Sequence, residues 1–248
     1  MLQKRTQQVL FISIVSMFCL SCGKDSACFK GSGKKITEQR AITNEITSIT
    51  IGNKINLVIT QSNEPNLILE GGENLLPYIN TDISGNELTI SSDNKCGFLR
   101  DSNEPLTVYI SISNLIRIEY TGHGTITNTG TLSLQKLDIE SFGGTGSLNL
   151  SVNAMAVSVK QHSGPADFTI RGNVKTLFVY TLGSGWFYLE GFIAQSAHVN
   201  HSGIGDVLVN ASNNLSVELR SRGDLLYYGN PIVSIDPHVG SGDIIKKP

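Results

Sequence analysis

The C-terminal half of the chain repeats one short pattern seven times, and this repeat limits the possible folds more than any other feature. Each copy has two apolar residues at positions i and i+2, a polar corner, a turn of small residues and a further apolar residue. The copies begin at Ile116, Leu137, Val157, Leu177, Ala197, Leu215 and Val233. The second small residue of each turn is Gly124, Gly146, Ala166, Gly185, Gly205, Gly223 and Gly242, at spacings of 22, 20, 19, 20, 18 and 19 residues. Such regular spacing is typical of repeat proteins.

A unit of about 20 residues cannot bury an apolar face alone, so the units have to stack on one another. Apolar residues at i and i+2 indicate strands with one buried face, and the small residues allow sharp turns. The pattern therefore predicts an all-β fold, a right-handed parallel β-helix (β-solenoid) with coils of about 20 residues.

Stacking in register predicts three ladders of inward residues. The first ladder contains Ile116, Leu137, Val157, Leu177, Ala197, Leu215 and Val233. The second contains Ile118, Ile139, Val159, Val179, Val199, Val217 and Ile235. The third contains Ile126, Leu148, Phe168, Phe187, Val207, Leu225 and Ile244. We assign these residues to the core and to no other role.

Residues 36–112 also have the composition of strands, but they lack the regular corner. No linker rich in glycine, serine or proline separates them from the repeat. We therefore expect one β-solenoid domain over residues 36–248, with irregular first coils at 36–112 and seven regular coils at 113–248.

The first 21 residues have the organisation of a signal peptide. Lys4 and Arg5 precede an apolar run over residues 9–20, which is too short to cross a membrane. Ser21 then precedes Cys22, and this junction resembles the lipobox of bacterial lipoproteins. The resemblance implies cleavage before Cys22 and acylation of its thiol, and the alternative is an ordinary cleaved signal without lipid.

These features predict a signal peptide at 1–21, a lipid on Cys22 and a tether at 22–35. A lipid attaches a protein to a membrane surface without spanning it. We therefore expect an exported protein of the bacterial cell envelope, anchored by its lipid to the outer membrane and facing either the periplasm or the cell surface.

Two further cysteines, Cys28 and Cys96, remain as a pair if Cys22 carries lipid. Exported proteins fold where disulfides form, so a bridge is expected. The bridge would close a loop of about 68 residues and would stabilise the fold by roughly 4 kcal/mol in the chain-entropy model. Two buried free thiols are the alternative.

The charge of the mature chain gives no indication of a nucleic-acid partner. Removal of Lys4 and Arg5 leaves 17 basic and 21 acidic residues, so the formal balance is 17 − 21 = −4. This charge is mild and dispersed along the chain, whereas nucleic-acid binding proteins carry basic patches.

Four aspartates follow the turns of separate coils, and stacking would bring them together. They are Asp167, Asp206, Asp224 and Asp243, with Trp186 in the corresponding place of one coil. Stacked carboxylates favour a cation, but an aspartate that follows glycine at a turn commonly bonds its own backbone. We favour the backbone role and predict neither a metal nor a cofactor.

The histidines give little indication of a site. His162 and His201 share the local sequence His-Ser-Gly, but they lie two coils apart, about 9–10 Å at the usual strand spacing. We interpret both as solvated loop residues. No grouping of serine, cysteine and histidine has the context of a nucleophilic site, so the sequence predicts no enzyme.

Outward residues next to the third ladder form a column that changes character along the solenoid. The column is polar at Thr127, Asn149 and Thr169, and it is apolar over the last four coils. With neighbouring aromatic residues, the predicted interaction surface consists of Phe178, Tyr180, Trp186, Tyr188, Leu208, Leu226 and Ile245. Such a stripe fits a protein, a glycan or a second copy of the chain. Cover by another segment of the chain, or a chance scatter of surface residues, is the alternative.

Three stretches of the sequence resemble the head GIN domain family, whose members are labelled auto-transporter adhesins. They are ITSITIGNKINLVITQS, LILEGGENLLPYINTDISGNELTISSDN and PLTVYISISNLIRIEYTGHGTI. The resemblance covers roughly residues 36–245 and implies a right-handed β-helix on an exported bacterial protein, often a lipoprotein. It supplies no functional residues. Lys95-Cys96-Gly97-Phe98 with Arg100, together with Cys28-Phe29, also resembles a cysteine pair of some members.

Three functions are consistent with these observations. The first is a non-catalytic adhesion lipoprotein that presents a solenoid surface to protein or glycan at the cell surface. The second is a glycan-active enzyme, a lyase or hydrolase, on the same scaffold. The third is a purely structural lipoprotein of the envelope. The sequence favours the first.

Overall fold

The computed structural model describes residues 31–94 and 106–248. The predicted signal peptide, the lipid site at Cys22 and the Cys28–Cys96 pair lie outside the described residues. The strands are β1 Lys35–Arg40, β2 Ser48–Ile51, β3 Ile55–Gln61, β4 Asn66–Gly72, β5 Ile79–Ser84, β6 Glu87–Ser92, β7 Leu106–Ile112, β8 Arg117–Tyr120, β9 Thr125–Thr129, β10 Leu132–Phe142, β11 Ser147–Ser163, β12 Asp167–Thr181, β13 Phe187–His201, β14 Val207–Leu219, β15 Leu225–Tyr228, β16 Ile232–His238 and β17 Ile244–Lys246. A short 3-10 helix, Leu76–Tyr78, precedes β5.

The repeat forms the predicted β-solenoid. Strands β8 to β17 pair in parallel with the equivalent strands one coil away. Members of the second and third ladders are register partners throughout, for example Val159 with Val179 and Phe168 with Phe187. The first ladder is in register from Leu137 to Val233. The sequence spacing therefore predicted both the fold class and the register.

Two ladder assignments are wrong. Ile116 is 39 % exposed, because the chain bends before β8 and turns the neighbouring Leu115 into the core instead. Ile235 is 45 % exposed, because β14 is the only described strand that pairs with β16, and nothing described stacks on its other side. Val233 and Ile244 on the same last coil are partly buried and pack against the core.

The first coils are stacked in an order that differs from their order in the chain. Ile49 of β2 pairs with Leu88 of β6 on one side and with Ile118 of β8 on the other. In the same way, β3 lies between β7 and β9. The coil made by β2 and β3 is thus inserted between a later coil and the start of the regular repeat.

Antiparallel strands cover this end of the solenoid. β4 pairs antiparallel with both β1 and β7, and β5 pairs antiparallel with β6. These strands supply β6 and β7 with the backbone partners that a further parallel coil would otherwise supply. No helix of the described residues has the length and apolarity needed to cross a membrane.

A row of polar side chains points into the core at the start of the turns. Its members are Tyr120, Ser141, Gln161, Thr181 and His201, all buried. Tyr120, Gln161 and Thr181 bind the backbone of the corners. Gln161 donates to the Ala166 carbonyl over 2.8 Å and accepts from the Gly185 N–H over 3.3 Å. The Tyr120 hydroxyl likewise donates to one corner carbonyl and accepts from the next corner. These three side chains therefore satisfy backbone groups that the turns leave unpaired inside the core.

The prediction that His201 is a solvated loop residue is wrong. His201 is register partner of Thr181 and belongs to the buried polar row. The residue that pairs with Thr181 on the preceding coil is Gln161. His162 is the next residue in the chain after Gln161, and it is only partly buried. The shared His-Ser-Gly sequence is offset by one residue in register, which places the two histidines on opposite sides of the strand.

Candidate interaction surface

An apolar row runs along one outer face of the solenoid, after the turns. Tyr188 is register partner of Leu208, Leu208 of Leu226, and Leu226 of Ile245. All four side chains are partly exposed. Parallel pairing without offset is the cause of this alignment, since residues at equivalent positions of successive coils stand directly above one another. We call these four residues, with Trp186, the apolar row.

Trp186 lies at the head of the apolar row. Its indole stacks on the ring of Tyr188, with centroids 6.0 Å apart and 16° between the planes, and the residue is 41 % exposed. Its backbone is fixed on both sides, because the Trp186 N–H donates to Asp167 Oδ1 over 2.8 Å and its carbonyl accepts from the Phe168 N–H over 2.9 Å. The two rings thus form an exposed aromatic platform on a rigid backbone.

Phe178 and Tyr180 lie elsewhere, on the part of β12 that precedes the turn. Phe178 contacts the ring of His198 at a centroid distance of 5.4 Å, and Tyr180 contacts His162 at 5.6 Å. His162 in turn stacks on Phe142 at 4.3 Å. Within the described part of the chain, no ring contact joins this group to Trp186. The seven residues of the predicted surface therefore form two groups on different faces.

We expected each aspartate at a turn to bind its own backbone, whereas Asp167, Asp206 and Asp224 bind the backbone of the next coil. Asp206 Oδ1 accepts from the N–H of Asp224 over 3.0 Å, and Asp224 Oδ1 accepts from the N–H of Asp243 over 2.8 Å. Asp167 makes the same bond to Trp186. Each carboxylate thus joins its coil to the next. Across residues 31–94 and 106–248, no group of three or more His, Cys, Asp or Glu side chains could hold a metal ion.

Ion pairs hold the carboxylates on the face that carries Phe178 and Tyr180. Arg117 lies 2.6 Å from Glu119 and 3.0 Å from Glu140, and Lys160 lies 2.9 Å from Glu140. The hydrogen bond from Lys160 lowers the pKa of Glu140 below its usual value. A general acid needs a raised pKa, so this arrangement works against acid catalysis at Glu140.

A groove that the sequence did not indicate follows the bend that leads into this face. It has a volume of about 420 Å³ and crosses five coils. One wall carries Lys136, Ala156, Thr176, Ser196 and Asn214, and the other carries Asp138, Ser158, Phe178, His198 and Ser216. Val157, Leu177 and Ala197 of the first inner ladder form the floor. We call this feature the corner groove.

Ionisable side chains near the two ends of the corner groove are paired. Lys136 Nζ lies 2.6 Å from the carboxylate of Asp138. At the other end, His198 Nε2 lies 3.1 Å from Glu218, which Arg220 also contacts at 2.8 Å. The hydrogen bond from Arg220, aided by His198, lowers the pKa of Glu218. The middle of the groove between these pairs carries uncharged side chains only.

The missed groove has a weak signature in the sequence. Its walls are the two residues that flank each member of the first inner ladder, and on one wall the residues of the middle coils, Ala156, Thr176 and Ser196, are small or hydroxyl-bearing. The concavity, however, comes from a bend of the strands that alternation alone does not report.

Comparison with known proteins gives the family. Residues 45–231 match the family described as "Putative auto-transporter adhesin, head GIN domain". No curated protein is significantly similar to the chain.

Solved structures with the same fold come from species of Bacteroides and Parabacteroides. A "putative adhesin" from Bacteroides fragilis is 23 % identical, with a TM-score of 0.79 over 86 % of this chain and 97 % of that one. A "putative adhesin" from Parabacteroides distasonis is 19 % identical, with a TM-score of 0.67 over 88 % and 98 %. A "putative lipid binding protein" from Parabacteroides distasonis is 21 % identical, with a TM-score of 0.65 over 88 % and 98 %. At these identities the similarity establishes the fold. Because the family match covers most of the sequence, the chain belongs to the head GIN domain family.

Proposed function

We propose that this chain is a non-catalytic adhesion protein of the bacterial cell envelope that binds a protein or glycan through the apolar row. The observation that carries the proposal is the alignment of Trp186 and Tyr188 with three aliphatic residues on successive coils. Membership of an adhesin family supports a binding role at the cell surface or envelope.

The chemistry of the apolar row favours binding over a purely structural role. Aromatic platforms and aliphatic side chains recover free energy when a partner removes them from water, about 25 cal/mol per Å² of apolar area. Beside the row, the aspartates already bind backbone and add no reactive group. The row therefore offers contact area without the features of a reaction centre.

The attachment of the protein is part of the same proposal. A lipid on Cys22 and a tether at 22–35 would hold the solenoid at the outer membrane and leave its faces accessible to a partner. Mass spectrometry of Cys22 from membranes measures this step directly, and an unmodified thiol would contradict it without affecting the binding proposal.

The test uses the full mature chain and two matched double variants. Leu208→Lys with Leu226→Lys places charges in the apolar row. Leu182→Lys with Ile204→Lys makes the same change at two exposed corner residues, which are 53 % and 46 % exposed. The probes are arrayed neutral and acidic glycans, immobilised mucin glycoprotein, and the chain itself in analytical ultracentrifugation.

We expect the wild type to bind at least one probe or to self-associate, the row variant to lose this by at least tenfold, and the corner variant to retain it. A strictly monomeric wild type that binds no probe would favour a structural lipoprotein and overturn the proposal. Mass-spectrometric detection of a cleaved glycan would overturn it in favour of a lyase or hydrolase.

A further inference from the structure

We propose that the corner groove binds the hydrocarbon chain of a free fatty acid, which lies along the solenoid axis with its carboxylate at Lys136. The corner groove is separate from the apolar row, so fatty-acid binding there does not depend on the proposed function. Three properties of the groove point to this ligand, namely its apolar surface, its length and the distribution of charge along it.

The surface that the corner groove offers to a ligand is almost wholly apolar. The hydroxyl groups of its middle coils are engaged or shielded. Thr176 Oγ1 donates to the Met155 carbonyl over 3.2 Å, and Ser196 Oγ accepts from Asn214 Nδ2 over 3.3 Å. The Ser158 hydroxyl oxygen is shielded from solvent. A ligand in the groove therefore meets mainly carbon.

The backbone of the three middle coils is engaged as well. The floor and both walls of these coils pair in parallel and in register with the coil on either side. Their N–H and C=O groups therefore point along the axis to adjacent coils. A peptide or a sugar lying in the groove would lose water from its polar groups without gaining partners. A hydrocarbon chain has no polar group to satisfy, so it is the chemistry that this surface favours.

The shape of the corner groove suits one extended chain. Its floor is a single residue wide, since each middle coil contributes one member of the first inner ladder, Val157, Leu177 or Ala197. Parallel strands lie about 4.8 Å apart, so five coils span roughly 19 Å along the axis. The acyl chain of a membrane lipid spans about 15 Å, half of the hydrocarbon core of a bilayer. The groove is therefore long enough for a complete acyl chain with its head group at one end.

The charges beside the groove orient a fatty acid. At one end, Lys136 Nζ lies 2.6 Å from Asp138, and the lysine side chain is 60 % exposed. An ammonium group has three donors, so Lys136 can also donate to a ligand carboxylate. On the same side, Lys175 is exposed, and no carboxylate of the described residues forms an ion pair with it. At the other end, Glu218 holds both His198 and Arg220. The positive excess therefore lies toward Lys136, which places the carboxylate there.

The test is calorimetry of the full mature chain, prepared without lipid or detergent, with three amphiphiles below their micellar concentrations. They are myristate, octanoate and tetradecyltrimethylammonium. We expect myristate to bind with one molecule per chain. Octanoate should bind at least about 100-fold more weakly, because each methylene group that leaves water adds to the affinity. Tetradecyltrimethylammonium has the same chain and the opposite charge, and it should bind at least about tenfold more weakly.

Four variants locate the ligand. Ala156→Phe fills the groove and should abolish myristate binding. Thr176→Asp places a carboxylate on the wall that the chain would cover and should weaken binding at least tenfold. Lys136→Met should reduce the preference for myristate over tetradecyltrimethylammonium at least threefold. Asn149→Phe adds the same ring at an exposed position of β11 outside the groove and should leave binding unchanged.

Several results would overturn the proposal. They are the failure of myristate to bind, equal binding of octanoate, or binding that neither Ala156→Phe nor Thr176→Asp changes. Equal binding of tetradecyltrimethylammonium would rule out a fatty acid as the preferred ligand. A dimer in analytical ultracentrifugation that Ala156→Phe abolishes would assign the groove to a second copy of the chain. Melting temperatures separate lost binding from lost folding. The variant Leu208→Lys with Leu226→Lys should bind myristate normally, which distinguishes this site from the apolar row.

Discussion

Thr181 Oγ1 and His201 Nδ1 lie 2.6 Å apart inside the solenoid, on adjacent coils. The same hydroxyl accepts a hydrogen bond from the Gly203 N–H over 3.1 Å. Thr181 therefore links His201 to the corner that follows the histidine in the chain. His201 has no solvent-exposed surface. Burial lowers the pKa of His201, and the nearby carboxylates of Asp206 and Asp224 offset this only in part. The histidine is therefore held in its neutral form.

This burial predicts a loss of stability in mild acid. In the unfolded chain the histidine takes up a proton near its ordinary pKa of about 6.5, whereas in the folded chain it does so only at lower pH. The stabilising contribution is therefore complete above about pH 6.5 and decreases as the pH falls toward the folded pKa. Urea unfolding at pH 8, 6.5 and 5 measures the effect.

The variant His201→Leu should remove this part of the pH dependence. The equivalent residue one coil further is Leu219, which is fully buried, so the position accepts leucine. His123 is exposed, and His123→Asn serves as the control that should keep the wild-type profile. An unchanged slope between pH 6.5 and 5 in His201→Leu would show that other groups cause the acid sensitivity.

Gln161, a second member of the buried polar row, should contribute to the free energy of unfolding independently of pH. Gln161→Leu leaves the Ala166 carbonyl and the Gly185 N–H without their side-chain partner inside the core. Unpaired buried groups cost about 1–3 kcal/mol each, so for these two groups we expect a loss of roughly 2–6 kcal/mol at every pH. Urea unfolding beside His201→Leu is the comparison. Equal stability of Gln161→Leu and wild type at pH 8 would mean that water replaces the amide.

The sequence predicted the inner ladders because their period of about 20 residues is strict and their members are apolar. It did not predict which polar residue of a corner points inward. His162 and His201 have the same local sequence, yet one residue of offset separates a partly buried ring from a core residue. Side-chain direction alternates at every residue, so the side of the strand is settled only by the register of the neighbouring coils.

The order of the first coils and the corner groove also escaped prediction. β6 and β8 both present an apolar pattern to which β2 can pair, and the structure shows that β2 pairs with both. The local sequence pattern does not show whether a strand pairs with the coil next to it in the chain or with a later coil. The apolar row, in contrast, was visible in the sequence because its members share the strict register of the third inner ladder.

The corners should not tolerate a side chain at Gly185. A Cβ there would lie 1.7 Å from the Ala166 carbonyl oxygen and 2.5 Å from Gln161 Nε2. Because the obstacle is the backbone of the adjacent coil, it cannot move aside, and Gly185→Ala should cost about 3 kcal/mol. In Gly191→Ala the nearest atom is Arg171 Cγ at 3.2 Å, the middle of a flexible side chain. That control should change the free energy of unfolding by less than about 1 kcal/mol. Equal losses would disprove the contact between corners.

The aspartates at the turns should behave as acceptors of backbone hydrogen bonds and not as ligands of a cation. Asp224 Oδ1 accepts from the Asp243 N–H, and an amide oxygen can do the same. Asp224→Asn should therefore retain the melting temperature within about 1–2 °C, whereas Asp224→Ala should lose about 1 kcal/mol. Calcium at millimolar concentration should leave the melting temperature of the wild type unchanged. Stabilisation by calcium that both variants abolish would instead assign the carboxylates to a metal site, because an asparagine keeps the hydrogen bond but removes the charge.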